Sequence, residues 1–243
     1  MIVRLLVLVL LVAVIATAVW RFRGKSAEPE LAAKTVDDRV TEFGDAVRQR
    51  LTPHFAKAGI AYPPEQIALI GLKDRRVLQL YASDRDAKFK LIRTYPVLAA
   101  SGHPGPKLRE GDRQVPEGVY EVESLNPNSR FHLALRVNYP NAFDREQAAR
   151  EGRTDLGGDI MIHGGDASIG CLAMGDEAAE DLFVVAALAN SRKVPVIIAP
   201  TDFRERTVAP PADAPPWTES LYREVRDVLA QYPESNRRQL SDG

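Results

Sequence analysis

Between Gln66 and His163 the chain is written as short runs of β character, and this succession limits the fold more than any other feature of the sequence. The runs cover 67–72, 77–82, 89–98, 119–125, 131–137 and 160–163. Several alternate apolar and polar residues, as in His132-Leu133-Ala134-Leu135-Arg136-Val137, the pattern of a strand with one face in a core. Gly/Pro-rich connections at 101–106 and 111–118 separate them and predict turns and loops. Helical spacing is confined to the flanks. Val36, Val40, Phe43, Val47 and Leu51 form one apolar stripe with Pro53 as its expected stop, and Pro63 and Pro64 mark a boundary. A helix with Asp176 as N-cap should bury Leu182, Val185, Ala186 and Ala189; 194–199 returns to a strand. The Pro-rich stretch 209–216 predicts an extended linker, followed by a helix carrying Leu221, Val225, Val228, Leu229 and Tyr232 on one face, and then a polar tail from Pro233. The class expected is mainly β with a small helical part, α+β.

The N-terminus bears on compartment. Residues 5–20 are almost uninterruptedly apolar, between Arg4 and the basic group Arg21, Arg23 and Lys25. The run is long for a signal-peptide core and short of the roughly 20 residues a spanning helix needs. Ala16-Thr17-Ala18 offers a cleavage pattern, while the basic residues after Trp20 favour retention. Export is expected, with residues 1–25 as either a cleaved signal or an anchor in the inner membrane.

Charge and cysteine content exclude whole classes of function. The 32 basic and 33 acidic residues nearly cancel, which leaves no electrostatic footprint for nucleic acid. A single cysteine, Cys171, rules out an intramolecular disulfide framework and multi-cysteine zinc clusters. Such a thiol is either buried filler or a working group.

The stretch Ile160-Met161-Ile162-His163-Gly164-Gly165-Asp166-Ala167-Ser168-Ile169-Gly170-Cys171-Leu172-Ala173-Met174 favours the second reading. An apolar strand delivers a histidine into a glycine turn, and a Gly-Cys pair follows just before a helix. This is the composition of a thiol nucleophile, Cys171, with an imidazole base, His163. Gly170 would let its own amide and that of Cys171 face the oxygen of an attacked carbonyl. Ser168 would orient substrate or hold the loop, and Gly164 would offer a carbonyl that fixes the imidazole tautomer. One Cys and one His lack the further ligands zinc needs, so no metal is expected. His54, His103 and His132 read as structural or solvated.

Three segments in order resemble the L,D-transpeptidase catalytic domain, also called YkuD-like, and more closely its YafK-like branch, over approximately 66–200. Lys107, Gly111-Asp112, Pro116, Gly118 and Tyr120 match the family's Lys…Gly-Asp…Pro-x-Gly-x-Tyr segment. Asn128 to His132 and Val137 to Ala142 resemble its next strand and the loop after it. His163-Gly164 with Ser168-Ile169-Gly170-Cys171 resembles its catalytic signature, except that Ile169 stands where many members have a second histidine, and Val115 where many have threonine. The resemblance implies a β-sandwich catalytic domain at 65–203 with flanking helices, preceded by a helical spacer at 26–64 and followed by a Pro-rich linker and C-terminal helix at 204–243. It also implies acylation of Cys171 at an L,D bond of a peptidoglycan stem peptide, with His163 as base. An amine acceptor makes this transpeptidation, and water makes it hydrolysis. Hydrolysis extends the expected partners to a peptidoglycan-linked lipoprotein. A non-catalytic peptidoglycan-binding protein is the competing class. A papain-like protease has the opposite order of Cys and His. No cofactor is implied, and the expected location is the bacterial cell envelope, on the periplasmic side.

Overall fold

The computed structural model describes residues 33–85, 88–189 and 193–233. The expected signal or anchor at 1–25 and the polar tail beyond Pro233 lie outside them. Among the described residues no helix is long and apolar enough to cross a membrane.

The chain forms a mixed α+β fold. Its elements run α1 (Val36–Ala58), β1 (Gln66–Leu72), β2 (Val77–Ser83), β3 (Lys90–Pro96), β4 (Gly118–Ser129), β5 (His132–Val137), α2 (Ala142–Arg150), β6 (Met161–His163), β7 (Leu172–Ala173), α3 (Asp176–Leu188), β8 (Pro195–Ala199) and α4 (Thr218–Leu229). The strands are ordered β3-β2-β1-β8-β4-β5-β6-β7. β1 and β8 are parallel, as are β6 and β7; the other pairs are antiparallel. The two halves expected of a sandwich share β4. Its start, Gly118 to Glu121, pairs with β8, and its continuation from Val122 pairs with β5 through two register shifts.

The central strands are buried on both faces, which explains why 67–72 is a continuous apolar run rather than an alternating one. Ile67 and Leu69 of β1, Leu78 and Leu80 of β2 and Val196 and Ile198 of β8 share a core with Val47, Leu51 and Phe55 of α1 and Leu182 and Val185 of α3. The residues between them, Ala68, Ile70, Leu72, Ile197 and Ala199, pack with Leu221, Tyr222, Val225 and Leu229 of α4. The period-2 alternation thus sorts successive residues of one strand into two cores.

Several elements differ from the sequence expectation. Helix α1 does not stop at Pro53 but continues to Ala58, capped by Gly59 in the left-handed conformation. An interior proline costs a helix about 3 kcal/mol, and here burial of Phe55 in the core holds the last turn in place. Helix α2 was not foreshadowed by periodicity, because 142–150 has no apolar stripe; its start is set by a reciprocal capping box between Asn141 and Asp144. Gly175, not Asp176, is the N-cap of α3, and no side chain caps that end.

Helix α3 is pinned by charge as well as by packing. The fully buried Asp181 carboxylate accepts from Arg50 Nε at 2.8 Å, Arg93 at 3.0 Å and the Tyr95 hydroxyl at 3.1 Å. A buried carboxylate is tolerated only with such partners. Because these partners sit on α1 and β3, the cluster fixes the helix that follows the Cys171 loop.

Candidate active site

His163 ends β6, and Cys171 immediately precedes β7. The parallel register pairs Ile162 with Leu172 and His163 with Ala173. Cys171 therefore lies on the diagonal from His163, on the same face, about one strand spacing across and two residues along. Leu172 holds this placement: its δ-carbon lies 3.7 Å from where a β-carbon on Gly71 would stand, in the middle of the sheet. The Ala173 amide donates to Ala99 O, and the Met174 amide to His163 O. The two sequence-predicted groups are thus brought together by a two-residue strand that the sequence pattern is too short to announce.

The imidazole is buried, and its Nδ1 lies 2.6 Å from Gly164 O. A carbonyl only accepts, so Nδ1 carries the proton and Nε2 keeps its lone pair. Burial lowers the His163 pKa below its ordinary value, partly offset by the Gly164 carbonyl. At neutral pH the ring is an uncharged base. Gly164 itself has no room for a side chain: an added β-carbon would stand 2.5 Å from an Asp176 carboxylate oxygen and 2.8 Å from Phe131 O.

The thiol donates to Asp159 O at 3.5 Å, and no hydrogen bond joins it to the imidazole among the described residues. Asp159 has a left-handed φ of 53°. Its carboxylate is tied to Arg136 at 2.6 Å. Burial raises the Cys171 pKa; the Met161 amide facing the sulfur and the positive Lys107 act against this, and the charge of Asp159 adds to it. Thiol and imidazole therefore both rest neutral, unlike a preformed thiolate–imidazolium pair. Iodoacetamide labelling of Cys171 is accordingly expected to climb with pH through a midpoint above the ordinary thiol value. A labelling rate already at plateau at pH 7 would show a resting thiolate.

The loop gives the two amides expected at a substrate oxygen another partner. Gly170 and Cys171 both donate their amides to Ser168 Oγ, at 3.2 Å and 3.0 Å. The Ser168 hydroxyl in turn donates to Cys171 O at 2.6 Å. One donor and two lone pairs are the whole capacity of a hydroxyl. In this arrangement the Ser168 hydroxyl is fully engaged by its own loop. Gly170, with φ 127°, has a conformation that favours glycine, and a β-carbon there would lie 3.5 Å from Gln114 O.

Gln114 belongs to a tightly tied segment along the site. Asp112 accepts from Lys107 Nζ at 2.5 Å and from the amides of Leu108, Arg109 and Gln114. Further along, buried Glu117 pairs with Lys73 at 2.9 Å and accepts from the Gly105 amide and the Tyr222 hydroxyl. Of the other histidines, His132 borders the site through its backbone side, its β-carbon 3.0 Å from where one on Gly164 would stand, while its ring bonds Glu180 at 3.0 Å and meets Phe43 edge-on; His103 donates its amide to Gln114 Oε1 at 2.9 Å.

Three contacts at the site escaped the sequence reading. Phe131 stacks on His163 with ring centroids 4.7 Å apart and planes tilted by 31°. Asp176, expected as a helix cap, instead accepts from the Gly165 amide at 2.8 Å and so steadies the turn after the base. The Asp159 carbonyl meets the thiol; Gly157-Gly158 before it was the available hint of unusual backbone.

Residues 65–198 match the L,D-transpeptidase catalytic domain, YkuD, which is more than half of the chain. The chain belongs to the L,D-transpeptidase catalytic domain family. "Putative L,D-transpeptidase YafK" from Escherichia coli K12 is 38% identical over 113 residues, covering 46% of this chain and 43% of that protein; the O157:H7 protein of the same name gives the same values. The matched stretch thus spans less than half the length of these relatives. Among solved structures, the helical cell shape determining protein Pgp2 (K307A mutant) from Campylobacter jejuni aligns with a TM-score of 0.46 at 21% identity, over 81% of this chain and 61% of that one. L,D-transpeptidase 1 of Mycobacterium tuberculosis aligns with a TM-score of 0.32 at 14% identity, over 55% of this chain and 61% of that one.

Proposed function

We propose that this member of the L,D-transpeptidase family is a cysteine acyltransferase acting on peptidoglycan stem peptides, with Cys171 as nucleophile and His163 as base. The observation that carries the reading is the imidazole: Gly164 O beside Nδ1 holds the proton there and leaves the lone pair to Nε2, and Cys171 follows the register onto the same face of the sheet as His163. The thiol turns from Asp159 O toward Nε2 and loses its proton as sulfur attacks the carbonyl on the L-configured centre of a diaminopimelate-type residue. The Sγ–C bond forms and the C–N bond to the D-configured partner breaks. The proton held on Nε2 passes to the leaving nitrogen. An amine then resolves the thioester by the reverse path. With the Gly170 and Cys171 amides held by Ser168, the oxyanion role first considered for them requires the loop to release them.

In this reading residues 65–203 form the catalytic domain in the periplasmic part of the cell envelope, and residues 1–25 export or anchor it. The chain is to be incubated with tetrapeptide muropeptides and with lipoprotein-linked peptidoglycan, beside Cys171→Ala, and the products resolved by mass spectrometry. Cross-linked dimers or exchanged terminal residues are expected. Tripeptide ends or released lipoprotein without an amine acceptor would make it a hydrolase, and no Cys171-dependent product would leave a binding protein.

A further inference from the structure

From Gly102 to Glu117 the chain has neither helix nor strand. Carbonyls in such a stretch have no ladder partner and must find another donor or water. Lys73 supplies a donor to three of them. Its Nζ donates to His103 O at 2.9 Å, Gly105 O at 3.3 Å and Val115 O at 3.0 Å, and lies 2.9 Å from a Glu117 carboxylate oxygen. The lysine directly follows β1, and its own amide donates to Ala199 O of β8 at 3.0 Å. It therefore reaches from the middle of the sheet to both arms of the segment, 103–105 on one side and 115–117 on the other. Gln114 ties the same arms to each other: its Nε2 donates to His103 O at 2.5 Å and Gly105 O at 2.6 Å, and its Oε1 accepts from the His103 amide at 2.9 Å.

An ammonium held in this way is costly. Burial pushes the Lys73 pKa down, and the charge of Glu117 works against that. A buried ion pair is commonly no more stabilising than well-packed apolar side chains of its size, so stability does not account for a lysine here. Geometry does, because no apolar side chain can hold three carbonyls of one loop. The segment so held meets the reaction centre at two points. Gln114 O is the nearest atom to a β-carbon built on Gly170, at 3.5 Å, and Gly170 precedes Cys171. Lys107, seated on Asp112 at 2.5 Å, bears a positive charge that favours the thiolate of Cys171. Asp112 also accepts from the Gln114 amide at 3.0 Å, so the two points move as one.

We propose that Lys73 is a positioning residue for the acyl transfer, which acts by holding segment 103–117 in place along the Cys171 loop. The inference rests on the proposed thioester chemistry and adds no step to it. Among the described residues Lys73 makes no hydrogen bond to Cys171 or His163, and the proton path from thiol to Nε2 to leaving nitrogen does not include it.

The test compares the full chain with Lys73→Met and with Lys73→Met/Glu117→Gln. The double variant removes a positive and a negative charge together, so it leaves no uncompensated charge in the interior and the net charge unchanged, while a glutamine can still serve the Gly105 amide and the Tyr222 hydroxyl. Three quantities are read: the saturating rate at which a stem tetrapeptide ending in D-alanine acylates Cys171, from intact mass in the first turnover; the pH midpoint of iodoacetamide labelling; and the unfolding temperature. Lys73→Met is expected to unfold at a lower temperature, and the double variant to regain most of that loss. Both are expected to acylate about tenfold more slowly, the scale of loss for a small misplacement of reacting groups. Both should also label with a midpoint above that of the unmodified chain, because the charge of Lys107 is no longer held near the thiol. A rate that recovers together with the unfolding temperature in the double variant, a labelling midpoint unmoved in both variants, or a double variant that does not fold would make Lys73 a purely structural residue and overturn the assignment. Failure of the tetrapeptide to mark Cys171 in the unmodified chain would instead remove the parent reading, and the labelling midpoints alone would then decide whether Lys73 positions the thiol.

Discussion

Cys171→Ala is expected to abolish turnover on stem peptides while leaving the fold in place. The substitution removes the only sulfur nucleophile of the chain, and no neighbouring residue supplies a second one at that position. Structurally little is lost. The thiol donates one long hydrogen bond, to Asp159 O at 3.5 Å, and faces the Met161 amide, while the loop is held through the backbone by Ser168. A weak bond of this kind is worth at most about 1 kcal/mol, so thermal unfolding should shift by a few degrees at most. Cys171→Ser makes the same point with a group of similar size: an alcohol is far less acidic and less nucleophilic than a thiol, so nearly all turnover is expected to be lost. Residual Cys171→Ala activity with the same products would place the chemistry elsewhere.

His163→Ala is expected to lower kcat/KM by about 10²–10⁴-fold, the usual contribution of a positioned base. The loss should depend on pH in a direction the two pKa shifts dictate. In the intact protein His163 is neutral and competent above its lowered pKa, and activity falls as pH drops through that value. The Cys171 thiol, raised by burial, stays protonated until well into the alkaline range and needs the base throughout neutrality. At higher pH the thiol ionises without help, so the deficit of His163→Ala should narrow as pH rises. Rate profiles of both proteins from pH 5 to 10, with unfolding curves to confirm the fold, check this. A deficit constant across that range would mean that His163 acts by holding the loop rather than by moving the proton.

How much of this was legible in the sequence depends on the range over which each feature is encoded. Alternation at 132–137 translates directly into β5 because each residue answers to its own face of the sheet. The continuous apolar run at 67–72 also reads as a strand, but that its two faces pack against different helices follows only once α1, α3 and α4 are placed. The pairing of His163 with Cys171 was visible as composition and spacing. The means of pairing was not, since β7 is two residues long and owes its position to Leu172 over Gly71, which is distant in sequence. Asp176 shows the limit of local rules. It stands where a cap is expected, yet its carboxylate turns to Gly165, because the helix start and the turn after His163 meet in space. The same holds for Ser168, whose single hydroxyl claims the two amides that residue type alone would have assigned to substrate.

The central claim is that Cys171 is acylated by a stem peptide with His163 as base. It is tested most directly by mixing the chain with tetrapeptide donor, quenching in acid within the first turnover and measuring intact mass. The account predicts an adduct equal to the donor less its terminal D-alanine, located on Cys171 by peptide mapping, absent from Cys171→Ala and slow to form in His163→Ala. Product released with no adduct at any time, or an adduct on another residue, would contradict it.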